Sequence, residues 1–225
     1  MKAKAVVLLS GGLDSTVCMA VANSKSYELY PISFNYHQRH NRELSCAHKV
    51  AEHYKVARHL VIETNMEAIG GSALTDKNIS VPAGDVTRQD IPVTYVPARN
   101  LIFLSYALGY AEVIGAEKIF IGVNALDYSG YPDCRPEFIN KFQDLANYST
   151  TAAVQNSRKI VIETPLLNLS KKDIVLLGTQ LGAPLHLTTS CYNGKDAACG
   201  ECDSCVLRLK GFLEAGIPDP ILYEK

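Results

Sequence analysis

Two groups of residues in this sequence have types and spacings suited to chemistry. The first is the heptad SGGLDST, Ser10 to Thr16, directly behind the apolar run Ala5–Leu9. A turn between a strand and a helix brings backbone N–H groups and the positive end of the helix to one point, which suits phosphate. Ser10, Ser15 and Thr16 add hydroxyl donors, Gly11 and Gly12 permit close approach to the backbone, and Leu9 and Leu13 complete the turn. Asp14 would repel a phosphate unless a cation stood between them, so the pattern predicts Mg²⁺. No Gly-Lys-Ser/Thr follows, which excludes a Walker loop, and G-x-G-x-x-G is absent as well. The plain alternative is a glycine-rich turn in which Asp14 or Ser15 merely caps a helix.

The second group is Cys191, Cys199, Cys202 and Cys205, with Asn193-Gly194 and Cys199-Gly200 as tight turns between them. Four converging thiolates match tetrahedral Zn²⁺ in a closed, structural site, able to fold a tail too short for its own core. An iron–sulfur cluster also takes four cysteines, but the common ferredoxin run has another fourth spacing and a following proline. Cys18, Cys46 and Cys134 are scattered, and seven cysteines, an odd count, argue against a fully paired disulfide set.

Other candidates lie in loops. Gly122 to Arg135, GVNALDYSGYPDCR, offers Asp127, Tyr131, Asp133 and Arg135 to a flat, nitrogen-rich, acidic substrate: carboxylates accept from ring N–H groups, tyrosines stack, and arginine pairs with a carboxylate. Which of Asp127 and Asp133 reads the base edge stays open, and Asp133 capping a helix at Pro136 is the plain reading. In NYHQRH, Asn35 to His40, Arg39 or His40 could reach phosphate or adenine. Arg99 in VPARN stands at a helix start, where a cation opposes the macrodipole and needs an anion. Lys171 poses the same question. Cys134 has only Arg135 beside it to activate a thiol.

The elements that must position these residues alternate. Strand-like runs at Ala5–Leu9, Leu29–Phe34, His59–Ile62, Lys118–Val123 and Lys159–Ile162 are separated by helical stretches, the pattern of a doubly wound, mostly parallel five-stranded α/β sheet. In such a sheet, ligands bind at the carboxyl edge where strand order reverses. Helices are predicted from Asp14, over about 41–54, after Pro97, at Pro136, at the Ser170–Asp173 capping box and near Ser204–Ala215. Residues 65–96 lack periodicity, which predicts an active-site flap or mobile loop. The expected division is a nucleotide-binding and catalytic domain, 1–188, with a metal-binding segment, 189–225, packed on it.

With 22 Lys and Arg against 23 Asp and Glu, the net charge of −1 provides no field to gather nucleic acid or membrane. The start lacks a signal-peptide pattern and no run of about 18 apolar residues occurs, so a cytoplasmic protein is expected.

SGGLDST is similar to the PP-loop of ATP pyrophosphatases. Together with NYHQRH, VPARN, GVNALDYSGYPDCR, TPL, TSCYNG and CGECDSCVLR, in this order, the sequence resembles the 7-cyano-7-deazaguanine synthase family of queuosine-precursor biosynthesis from end to end. Ala98 departs from the glycine of VPGRN. The resemblance implies a Rossmann-like, adenine nucleotide alpha hydrolase-like fold and a ligase that converts 7-carboxy-7-deazaguanine and ammonia to the nitrile through an adenylated acid and an amide. It further implies ATP, Mg²⁺ on the nucleotide, zinc on the four cysteines, and a homodimer. Lys2 is not the cysteine of an N-terminal nucleophile, and no amidase-sized domain is present, so free ammonia is the expected nitrogen source. The roles expected are catalysis for Ser10, Asp14, Ser15, Arg99 and Lys171 and nucleotide binding for residues 9–16 and Arg39. Asp127, Tyr131, Asp133 and Arg135 are expected to bind substrate. A PP-loop tRNA thiolase and a non-enzymatic ATP-binding module with a zinc ribbon are the alternatives.

Overall fold

Lys4–Leu8, KAVVL, forms the central strand β1, and its alternating side chains enter two different cores. Val6 and Leu8 face one side, while Ala5, Val7 and Leu9 face the other. Val6, Val7 and Ile32 are each 0% exposed. Burial of such a side chain contributes roughly 1.5–3 kcal/mol, against about 1–2 kcal/mol for fixing its backbone. The strand therefore forms because it is covered on both faces.

The computed structural model describes residues 2–38, 42–85, 90–126, 131–155 and 158–224. Strands β2 (Glu28–Asn35), β3 (Leu60–Glu63), β4 (Lys118–Phe120) and β5 (Val161–Glu163) join β1 in one all-parallel sheet of order β3-β2-β1-β4-β5. Order reverses between β1 and β4, which pair from Ala5↔Lys118 to Val7↔Phe120. The helices are α1 (Leu13–Ser24), α2 (Arg42–His53), α3 (Arg99–Ile114), α4 (Pro136–Ser149), α5 (Thr151–Val154), α6 (Lys171–Gln180) and α7 (Asp203–Ala215).

α3 and α4 cover one face through Leu104, Leu108, Ile139 and Phe142. α1, α2, α6 and α7 cover the other through Val17, Ala47, Ile174 and Phe212. Pro136 occupies the first turn of α4, and Ser170 with Asp173 forms the expected capping box of α6. β4 stops at Phe120, short of the expected Val123, because Ile121 and Val123 turn into the cavity described below.

The flap expected over 65–96 is corrected by the described residues 65–85 and 90–96. Met66, Ser72, Ala73, Leu74, Thr75, Thr94 and Val96 are buried, and Ala73 N donates to Val93 O at 2.8 Å. Further along, Gly84 N donates to Glu201 O at 2.8 Å and Asp85 N to Asp203 Oδ1 at 2.6 Å, so the strap is tied to the start of α7. Turns and side-chain bonds hold it, and neither leaves a periodic signal.

Candidate active site and metal centre

The carboxyl edge between β1 and β4 opens into a cavity of about 300 Å³. One wall is the heptad loop. Gly12 is the N-cap of α1 and no side chain caps that helix, which leaves its positive end for a ligand. The serines brace the loop: Ser10 N donates to Ser15 Oγ at 3.2 Å, Ser15 Oγ donates to Gly12 O at 3.1 Å, and Gly12 N donates to Ser10 Oγ at 3.2 Å. Gly11 has φ 86°, and a Cβ there would stand 2.2 Å from Glu43 O and 2.6 Å from Ala47 N, so α2 presses directly on the turn. Across the switch point a Cβ on Gly122 would lie 3.0 Å from the carbonyl of Asp14. The turn after β4 meets the loop as the sheet topology requires.

Leu9, Ser10, Gly12, Leu13, Asp14, Ser15, Arg99, Tyr131 and Lys171 all line the cavity. Lys171 Nζ lies 2.9 Å from both carboxylate oxygens of Asp14, which answers why a cation opens α6. Gly11 and Thr16 do not line it; Thr16 is 0% exposed and its Oγ1 has no hydrogen-bond partner among the described residues. Arg39 and Asp127 lie outside the described residues.

The opposite wall is aromatic. Phe34 and Phe103 stack at 3.9 Å between centroids, and Tyr36 packs on Phe103 at 5.6 Å. Arg99 sits 5.9 Å over the Tyr131 ring. Burial opposes its charge, but Tyr36, Tyr131, Cys134 and Asp133 outweigh that and hold the guanidinium above its ordinary pKa. Tyr131 Oη lies 3.1 Å from Thr94 Oγ1, and the half-buried Tyr192, raised well above the usual phenol range chiefly by desolvation, bonds Tyr131. Burial also pushes Tyr36 up to about 12, and the Cys134 thiol likewise up to about 12, so Cys134 is an uncharged wall residue.

Asp133 does not line the cavity. Its Oδ2 accepts from Asn100 N at 2.9 Å, so it tethers the start of α3, where a plain reading would have put it on α4. Burial raises its pKa, and Oδ1 has no hydrogen-bond partner among the described residues. Arg135 is exposed and outside the cavity.

Phe34, Phe103, Asn124, Tyr192 and Arg208 also line the site without having been singled out. Phe34 could be found as the residue ending the second strand, and Tyr192 as the neighbour of the first cluster cysteine. Arg208 ends the quoted motif CGECDSCVLR, but its burial is not legible there: it is 1% exposed, paired with Asp219 at 2.8 and 2.9 Å, and donates to Thr188 Oγ1 at 2.8 Å.

The Sγ atoms of Cys191, Cys199, Cys202 and Cys205 lie within 4.8 Å of one another. A tetrahedral ion with metal–sulfur bonds of about 2.3 Å needs sulfurs roughly 3.8 Å apart, and Cys199 to Cys205 is already 3.9 Å. Asn193 N and Cys199 N point at Cys191 Sγ, and Glu201 N and Cys202 N at Cys199 Sγ, each at 3.4 Å, donors that favour thiolates. Hydrogen bonds from Cys202 and Cys205 hold the Cys191 thiol far below its ordinary pKa. The donor set fits a metal ion. The cluster also reaches the cavity, because Thr189, two residues before Cys191, donates its N–H to Gly11 O at 3.0 Å.

Among the described residues no helix is long and apolar enough to cross a membrane. The fold is similar to that of NMN synthetase from Francisella tularensis, with a TM-score of 0.53 at 16% identity over 96% of this chain and 79% of that one. The sequence is 62% identical over 221 residues to a 7-cyano-7-deazaguanine synthase of Desulfitobacterium hafniense, covering 98% of this chain and 93% of the relative. Those of Acetivibrio thermocellus and Coxiella burnetii are 60% and 54% identical, each over 98% of this chain and 97% of the relative. The family model described as queuosine biosynthesis protein QueC matches residues 4–216, and with that span and those identities the chain belongs to the QueC family.

Proposed function

We propose that this chain is an ATP-dependent carbon–nitrogen ligase converting 7-carboxy-7-deazaguanine and ammonia to 7-cyano-7-deazaguanine. The observation that carries the reading is a single cavity joining an uncapped helix start and its hydroxyls to an aromatic wall centred on Arg99 and Tyr131. One side suits a triphosphate and the other a flat base, and relatives 54–62% identical carry the synthase name.

A carboxylate is a poor electrophile, since its leaving group would be oxide. In the proposed sequence one carboxylate oxygen attacks the α-phosphorus of ATP, the bond to the β-phosphate oxygen breaks, and pyrophosphate leaves. Ammonia then adds to the acyl carbon, loses a proton, and expels AMP to give the amide. The amide oxygen attacks a second ATP in the same way, and loss of AMP with the N–H protons leaves C≡N. Loop N–H groups at Gly12 to Ser15 and the Ser10 hydroxyl stabilise charge on the departing pyrophosphate. Mg²⁺ would neutralise phosphate charge, with Asp14 the carboxylate placed to hold it once Lys171 turns to the nucleotide. Arg99 and Tyr131 orient the base, and Asp133 acts through Asn100.

Zinc is the metal we assign to the four thiolates, in a structural role, because their geometry leaves no open position. A cytoplasmic homodimer using free ammonia belongs to the same reading. The cysteines of the cluster converge on one another and not into the cavity, which disfavours a sulfur-carrying thiolase. The test is AMP release measured by chromatography. It should require the deazaguanine acid and ammonia together; release driven by tRNA, or none, contradicts the proposal.

A further inference from the structure

Gly211 lies inside α7, where glycine costs about 1 kcal/mol relative to alanine, and it is buried. Its backbone has no positive φ to justify it. The neighbour supplies the reason. A Cβ at 211 would stand 2.4 Å from Lys171 Cγ, 2.9 Å from Lys171 Cβ and 3.1 Å from its backbone carbon. Those atoms form the root of the lysine, which cannot swing aside as its tip can. From that root the side chain runs to Nζ, 2.9 Å from both oxygens of Asp14 in the phosphate loop.

A second glycine, Gly178, lies two turns further along the same face of α6. A Cβ on Gly178 would be 2.7 Å from Val17 Cγ2 of α1 and 3.2 Å from Leu185 Cδ2. α6 is thus packed closely on both α7 and α1, with Lys171 in its first turn lining the cavity. A cation there opposes the macrodipole, so it stays only while an anion faces it.

We propose that Gly211 is a positioning residue: the missing side chain lets α7 press on the root of Lys171 and direct its ammonium to Asp14 and to the nucleotide beside it. The effect on turnover rests on the function proposed above; the effect on Lys171 itself does not. The C-terminal helix, which carries Cys205 of the cluster and starts at Cys202, thereby sets part of the phosphate site.

The experiment compares wild type, Gly211→Ala, Lys171→Gly and the double variant as metal-loaded full chains. It measures kcat and KM for ATP, thermal unfolding, and the rate of Lys171 acetylation by peptide mapping. Gly211→Ala is expected to lower kcat about 10²-fold, the scale of a displacement near 1 Å, and to speed Lys171 acetylation severalfold. In the Lys171→Gly background, which lacks both contacting side-chain atoms, it should lower kcat no further. A merely structural role would depress both backgrounds alike, and that result, or wild-type kcat and labelling in Gly211→Ala, overturns the proposal. Should Gly211→Ala fail to fold, the double variant must fold as well as Lys171→Gly; its failure also overturns the proposal. A wild type without turnover, but with faster labelling in Gly211→Ala, upholds the positioning and refutes the function.

Discussion

Ala98 holds φ 56° and ψ 20°, the left-handed region, immediately before α3. An L-residue there costs roughly 1–2 kcal/mol, and glycine returns part of that as unfolded-state entropy of about 0.5–1 kcal/mol. Ala98→Gly is therefore expected to stabilise the protein by about 0.5–1 kcal/mol, read as a higher urea midpoint with an unchanged slope. His59 offers a second test. Ser33 Oγ donates to Leu9 O, so His59 Nε2–H donates to Ser33 Oγ at 2.7 Å, and burial followed by the His48 ring pushes the imidazole down from 6.5 to about 4. The folded state thus binds fewer protons than the unfolded one between those values. Stability is present above pH 6.5 and falls as pH drops through about 4. Urea titrations should show wild type losing more stability than His59→Gln across that window; equal losses contradict the assignment. At this scale the sequence revealed the hydroxyls, Asp14 and Arg99 by type and place, but not that Asp14 and Lys171 are partners 157 positions apart.

Among the elements, the five strands and the α6 capping box were legible because a parallel sheet buried on both faces writes apolar runs, and a cap writes a fixed spacing. The strap over 65–85 was not, since Gly84 and Asp85 are fixed by Glu201 and Asp203, far away in sequence. Gly211 was silent for the same reason: its need arises only where α7 meets α6. The cysteine cluster was legible from spacing, whereas its reach to the loop through Thr189 N and Gly11 O was not. That contact carries a prediction. Cys199→Ala, or metal removal by a chelator, should lower metal content and thermal stability and also weaken ATP binding in calorimetry, because Thr189, Ser190 and Tyr192, which line the cavity around Cys191, lose their anchor. Metal loss with unchanged ATP affinity would show the two sites to be independent. Asp14→Ala should instead abolish turnover and leave metal content intact.

For the whole molecule, the sheet order puts the uncapped start of α1 and an aromatic wall on one edge, and α7 lines a third side through Ser204, Leu207 and Arg208. The proposed chemistry requires that both oxygens of the acid leave on adenylate. The most direct measurement supplies 7-carboxy-7-deazaguanine labelled with ¹⁸O in both carboxyl positions, together with ATP, Mg²⁺ and ammonia, and follows the label by mass spectrometry. Two AMP per nitrile are expected, each carrying one ¹⁸O in its phosphate, with an amide that retains one label. Label appearing in inorganic phosphate, or released to water with unlabelled AMP, would contradict that chemistry.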